Sequence, residues 1–385
     1  MGWRFRNNFS PIPGVRLTIS PSGLSTSVGV GPVRLTHGPQ GAAVTANLFG
    51  TGLSYRQPLG TSPAGANEPS GDGPVLAPPA VPMAPVSAMP AMTEIRSASS
   101  AVLTSAGLAA FKQSLAEAQT QYASIEGALN GARHTEQVKV ALHDRWAKGW
   151  LFRHVRKARF AQICEDAETS TAMRQELEQQ LDLSKLHTQF EMPDGVAKAF
   201  AGFCDAFKVC AGSYRIWDFV SARSANQVAE RTSAGRVVER QPVSFSLRKC
   251  GIIDTPMSVP CLQNANGGDL YFYPGFLVYL AAATNYALIE YSELQLRVAR
   301  TRFHEEENLP KDAQQIGTTW AKTNKDGSPD RRFRDNYQIP IMQYAQITLR
   351  TPAGLNEEYV LSNVAATEAF GQAWEALREA IQRGV

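Results

Sequence analysis

Hydrophobic and polar positions alternate with period two at the start of the chain, turn to a period of three and four in the middle, and return to period two afterwards. The first alternation is written twice. Val15-Arg16-Leu17-Thr18 aligns with Val33-Arg34-Leu35-Thr36, Pro21-Ser22-Gly23 with Pro39-Gln40-Gly41, and Gly52-Leu53-Ser54-Tyr55 begins a third copy over Gly23-Leu24-Ser25-Thr26. Each full copy reads as a strand, a Pro-x-Gly turn and a second strand. A single hairpin is marginal in water, so the repeat predicts hairpins stacked in one antiparallel sheet. Alternation sends Val15, Leu17, Val33 and Leu35 to one face and Arg16, Thr18, Arg34 and Thr36 to the other.

Residues 58–93 carry Pro, Ala, Gly and Ser with few charges, a composition that cannot offset its ordering entropy by burial and predicts a tether. From Leu108 the seam Phe111, Leu115, Ala118, Tyr122, Ile125 and Leu129 keeps heptad spacing, as in an intramolecular helix pair or a dimer coil. A second helical stretch, 136–163, mixes Arg145, Lys148, Arg153, Arg156, Lys157 and Arg159 with Trp146, Trp150 and Phe152. The acidic segment 165–183 is expected to neutralise it, the other reading being a surface for nucleic acid or anionic lipid. A further helix is expected after Asp194 as cap, with Val196, Phe200, Phe203, Phe207 and Cys210 on one face.

After Gly212 strands are expected at 214–220, 236–247, 269–280, 286–303, 339–350 and 356–362, and a final helix over 364–382 places Phe370, Trp374, Leu377 and Ile381 on one stripe. The fold class is therefore α+β and multidomain: a small N-terminal antiparallel β-module of repeated hairpins (1–57), the linker (58–93), a central helical segment (94–212), and an antiparallel sheet domain with a capping C-terminal helix (213–385).

Net charge is only +3, but residues 1–60 hold Arg4, Arg6, Arg16, Arg34 and Arg56 with no Asp, Glu or Lys. This Arg face either keeps a thin sheet soluble or docks an anionic surface, and open sheet edges would permit assembly. The segment 320–340 places Lys322, Lys325, Arg331, Arg332 and Arg334 among Asp326, Asp330 and Asp335 around a Gly-Ser-Pro turn. It reads either as a phosphate-holding loop or as one stiffened by its own ion pairs.

The five cysteines are odd in number and lack CxxC spacing, so neither a disulfide framework nor a zinc site is expected. No apolar run reaches membrane-spanning length and no basic-then-apolar leader opens the chain, which predicts a cytoplasmic location. No nucleophile elbow, P-loop or dinucleotide fingerprint is present. His304-Glu305-Glu306-Glu307 is expected to be a solvated turn, because consecutive strand residues alternate faces. Metal, cofactor and catalytic residues are all expected to be none.

The stretch "MGWRFRNNFSPIPGVRLTISPSGLSTSVGVGPVRLTHGPQG", closed by "GTGLSY", resembles the bacterial domain-of-unknown-function 4236 family, whose members begin Gly, aromatic, Arg, aromatic, Arg and carry a related Gly/Arg order. Leu48-Phe49 departs from that pattern, which has Pro in second place. The resemblance brings no catalytic residue or cofactor. Residues 213–382, on "LYFYPGFLVYLAAATNYALIEYSELQL", resemble bacterial pleckstrin-homology-like domains, which implies a binding scaffold. Together these lead to a non-enzymatic interaction or assembly protein whose partner is a protein or a second copy of itself, in a setting such as phage defence. The alternative is a binder of nucleic acid, anionic lipid or phosphate.

Overall fold

The computed structural model describes residues 91–149, 154–184 and 187–384, together with the backbone of five strands between positions 14 and 59. These strands are β1 (Gly14–Ser20), β2 (Gly23–Val30), β3 (Val33–Gly38), β4 (Gly41–Asn47) and β5 (Ser54–Leu59). They pair consecutively and antiparallel. A sixth strand, β7 (His187–Glu191), joins β1 in parallel, Leu17 opposite Phe190, so the sheet runs β5-β4-β3-β2-β1-β7. This strand lies inside the segment read as wholly helical. Five residues with no alternation of their own take strand form by completing an edge already present.

Beyond the linker the chain is pinned at once. The short strand β6 (Thr93–Glu94) pairs with β8 (Ile216–Ser224), Ala98 N donates to Gly354 O (2.9 Å), and Ser105 N donates to Leu288 O (2.9 Å) after a single turn, α1 (Ser100–Leu103). The 40-residue α2 (Ala109–Lys148) follows, about 60 Å long at 1.5 Å per residue. Its first turns are buried in the body through Phe111 and Leu115. Its distal part is paired with α3 (Lys157–Leu183), which packs principally against α2. Arg133 meets Glu178 (3.1 Å), Arg174 meets Glu136 (2.7 Å), and His143 stacks on Phe160, an antiparallel order. The stretch 136–163, expected as one helix, is thus two: Gly149 closes α2, its N–H donating to Trp146 O (3.1 Å).

The helix α4 (Asp194–Ala211) buries the five residues expected on its face. Its cap position is Pro193, and Asp194 stands in the first turn, where a negative charge still favours the helix dipole.

Two antiparallel sheets complete the body. One, ordered β10-β11-β12-β13-β14, comprises β10 (Phe245–Arg248), β11 (Val259–Leu262), β12 (Asp269–Tyr273), β13 (Phe276–Ala282) and β14 (Asn285–Glu290). The other is ordered β15-β17-β18-β8-β6, built from β15 (Gln295–His304), β17 (Gln338–Arg350) and β18 (Asn356–Leu361) with the two strands already given. In that second sheet β9 (Arg236–Pro242) also pairs β8, and β16 (Gln314–Trp320) also pairs β17. The helices α5 (Gln227–Glu230) and α6 (Val364–Arg383) finish the chain.

The main core lies between these sheets and the pair α4/α6. Phe203 meets Phe370 (5.0 Å between ring centres), and Trp374 meets Tyr291 edge-on (4.6 Å). Asn363 caps α6 by accepting from Ala366 N (3.0 Å). Gly371 lets α6 lie against β15, since a Cβ there would sit 2.7 Å from Val298 Cγ2. Among the described residues no helix is long and apolar enough to cross a membrane.

Candidate functional site

Three places in the molecule bear on function. The first is the N-terminal sheet. Arg16 is opposite Ser27, Gly29 lies two residues along the same strand, Gly29 is opposite Arg34, Arg34 is opposite Thr45, and Thr45 is opposite Arg56. Cross-strand partners share a face and so do residues two apart, so Arg16, Arg34 and Arg56 hold register positions of one parity. Across the β1/β7 pair, Arg16 is opposite Gln189 and Thr18 opposite Glu191, both exposed, whereas Leu17 is opposite Phe190. Phe190 stacks on Tyr273 (5.5 Å) and neighbouring Thr188 is buried. Arg4 and Arg6 lie outside the described residues, as do positions 60–90 of the expected tether.

The second place is the loop after β16. Its acids are taken up internally. Asp326 accepts from Ser328 N and Oγ (3.1 and 2.7 Å). Asp330, buried, accepts from the Arg332 side chain and backbone (Nε 3.0 Å, N 3.1 Å) and pairs with Arg231. These contacts, Arg332 first, hold the Asp330 carboxyl down to about 2. Arg332 is thereby committed, while Lys322, Lys325, Arg331 and Arg334 are exposed without an ion-pair partner among the described residues. Asp330→Ala is expected to open the loop to proteolysis, with cleavage between 322 and 336 appearing well before any cut in the sheets. The Asp330 contribution is present above the ordinary carboxylate range and lost as pH falls through about 2.

The third place was not foreseen. Asp218 on β8 is opposite Tyr359 on β18, and Glu357 lies two residues from Tyr359 on the same face. Both carboxylates are buried, at 0 % and 1 % exposure. Asp218 Oδ2 accepts from Ala265 N (2.8 Å), and Glu357 accepts from Ser97 Oγ. Asp218 Oδ1, Glu357 Oε2 and Asn266 Oδ1 have no partner, and no cation pairs with either acid among the described residues. Burial pushes Asp218 up to about 6 against the Ala265 hydrogen bond. Burial pushes Glu357 up to about 7, against hydrogen bonds from Ser97 and Asn264 and with a further push from Asp218. The pair sits where the segment after the linker, the turn 264–268 and the second sheet meet.

Glu305 corrects the expectation of a solvated turn. It is buried, accepts from Tyr344 Oη (2.6 Å), and faces Arg240, whose guanidinium lies 3.8 Å from the Trp217 ring and 4.5 Å from Phe303. No group of metal-ligating side chains is found among the described residues, and the described cysteines are free thiols. Burial pushes Cys210 and Cys261 up to about 12, far from nucleophilic use. The ion pairs between α2 and the acidic helix α3 among the described residues, Arg133–Glu178 and Arg174–Glu136, lie at mid-arm.

No curated protein and no solved structure matches the chain. Residues 3–56, which span β1 to β4 and the first half of β5, match the family described as "Protein of unknown function (DUF4236)".

Proposed function

We propose that the chain is a non-enzymatic assembly protein that docks an acidic protein surface, on a partner or on a second copy of itself, through the arginine-bearing face of the N-terminal sheet. The observation that carries this reading is the register: Arg16, Arg34 and Arg56 share the parity of exposed Gln189 and Glu191, while the opposite parity includes Phe190, which packs on the core. In this reading the hairpin repeat is an interaction module, and the C-terminal sheets with α6 are a pleckstrin-like scaffold that carries it. Arginine suits the task because its planar fork pairs with carboxylates in two bonds at once.

The test is Arg16→Glu with Arg34→Glu in the full chain. Sedimentation should show a mass falling to that of the monomer, or loss of the complex formed with an acidic partner, with an ionic-strength dependence that the variant no longer has. Unchanged mass, complex formation and salt response in the variant would remove the basis for the reading.

A further inference from the structure

The distal end of the α2/α3 arm separates its charges. Between positions 137 and 161 there are seven basic residues and one acid, Asp144. Antiparallel pairing sets the first turns of α3 beside the last turns of α2, while the acids of α3 begin at Glu165, about level with Arg145 in the register of the cross-arm pairs, and continue from there toward the body, so that Lys148, Arg156 and Lys157 lie beyond them. The two cross-arm ion pairs, Arg133–Glu178 and Arg174–Glu136, are likewise at mid-arm. Arg145, Lys148, Arg156 and Lys157 at the tip are exposed and have no ion-pair partner among the described residues. Arg156, Lys157 and Arg159 also crowd the start of α3, whose first turn has no acid, where the helix dipole favours an anion.

Apolar side chains stand among these cations. Val155 is 72 % exposed and Val138 58 %, and Leu142 is exposed one turn beyond Val138, on the stripe that leads to Arg145. Among the described residues the rings at this end are engaged: His143 and Phe160 stack on each other and Trp146 is half-buried with a partner. A single strand of nucleic acid would want free rings to stack on. A flat layer of anionic headgroups wants surface cations and a few aliphatic side chains that reach the acyl boundary.

We infer that the tip of the α2/α3 arm is a contact site for an anionic lipid bilayer, which Arg145, Lys148, Arg156 and Lys157 engage while Val138, Leu142 and Val155 enter the interface. The site is separate from the N-terminal sheet, and either can fail without the other.

The experiment uses the full chain and cosedimentation with phosphatidylcholine vesicles, with and without phosphatidylserine. Binding is expected only with phosphatidylserine and should weaken as salt is raised. Each cation contributes about fivefold to the partition coefficient, so Arg145→Glu, Lys148→Glu, Arg156→Glu and Lys157→Glu together should lower it by at least several hundred-fold. Arg156→Gln with Lys157→Gln, a milder change at exposed positions, should lower it about 25-fold. Lys322→Glu with Lys325→Glu, exposed cations of the body, should leave it unchanged, and Val155→Ser should weaken vesicle binding by a few-fold. The inference is overturned if phosphatidylserine vesicles are not bound, if the body variant weakens binding as much as the tip variants, or if a DNA duplex binds the tip more tightly than the vesicles.

Discussion

Raising the pH from 4 to 8 is expected to cost the folded protein roughly 3 kcal/mol for each of Asp218 and Glu357, at 1.36 kcal/mol per unit of displacement. The sign follows from proton counting. In the unfolded chain these carboxyls titrate near 3.8 and 4.5, and in the folded one near 6 and 7, so between those limits the folded state holds more protons. Stability is fully present below the unfolded values and declines as pH rises through the folded ones. Urea midpoints of the wild type and Glu357→Gln, taken across this range, check it. The amide cannot ionise, so the variant should be the more stable protein at neutral pH and its profile should be flatter. Parallel profiles would show that the pair does not control the slope. Acids held down by partners, Asp330 among them, act in the opposite sense at low pH and cancel in the comparison.

Trp374→Ala is expected to remove about 3–5 kcal/mol, the usual cost of emptying a large buried aromatic site. Trp374 is wholly buried and touches Phe203 on α4 (5.9 Å), Phe272 on β12 (5.8 Å) and Tyr291 (4.6 Å), so the cavity would open where both helices meet the first sheet. The indole Nε1 has no hydrogen-bond partner. Trp374→Phe therefore loses volume but no polar contact, and should cost less than half as much. Equilibrium denaturation of the two variants gives the comparison; equal losses would mean that the indole nitrogen is held by a contact not described above.

Elements with one buried face were legible in the sequence. The stripe Phe370, Trp374, Leu377 drew α6 to within a residue, and β17 and β18 were found by their apolar runs, whereas 269–280 and 286–303, each expected as one strand, are two apiece: β12 and β13 part at the Pro274-Gly275 turn, and β14 and β15 part at 291–294 and belong to different sheets. Strand β11 was missed because Val259-Pro-Cys-Leu is buried on both faces and carries a proline, so it shows no alternation. Strand β16 was missed because Gln314-Gln-Ile-Gly-Thr-Thr is mostly polar and takes its form from β17. The carboxylate pair left no local signal. Asp218 and Glu357 are 139 positions apart, and only the β8/β18 register and the turn over them reveal that they share a dry site. Glu305 fails for the reason that Glu357 does: an isolated acid reads as solvated until its tertiary partners are known. The break at Gly149 was carried by one glycine inside a strongly helical composition, and it decided whether the basic residues run along a helix or gather at an end.

The parallel pairing of β1 with β7 sets an order of events during synthesis. Gly14 and His187 are partners although ~170 residues separate them. At ribosomal speeds of about 5–20 residues per second, the first five strands leave the ribosome roughly 7–26 s before the sixth is complete. Through that interval the nascent sheet presents an unpaired edge along β1, the kind of edge that recruits other chains. A chaperone, or the same strand of a neighbouring nascent chain on one messenger, has that long to reach it before β7 closes the register.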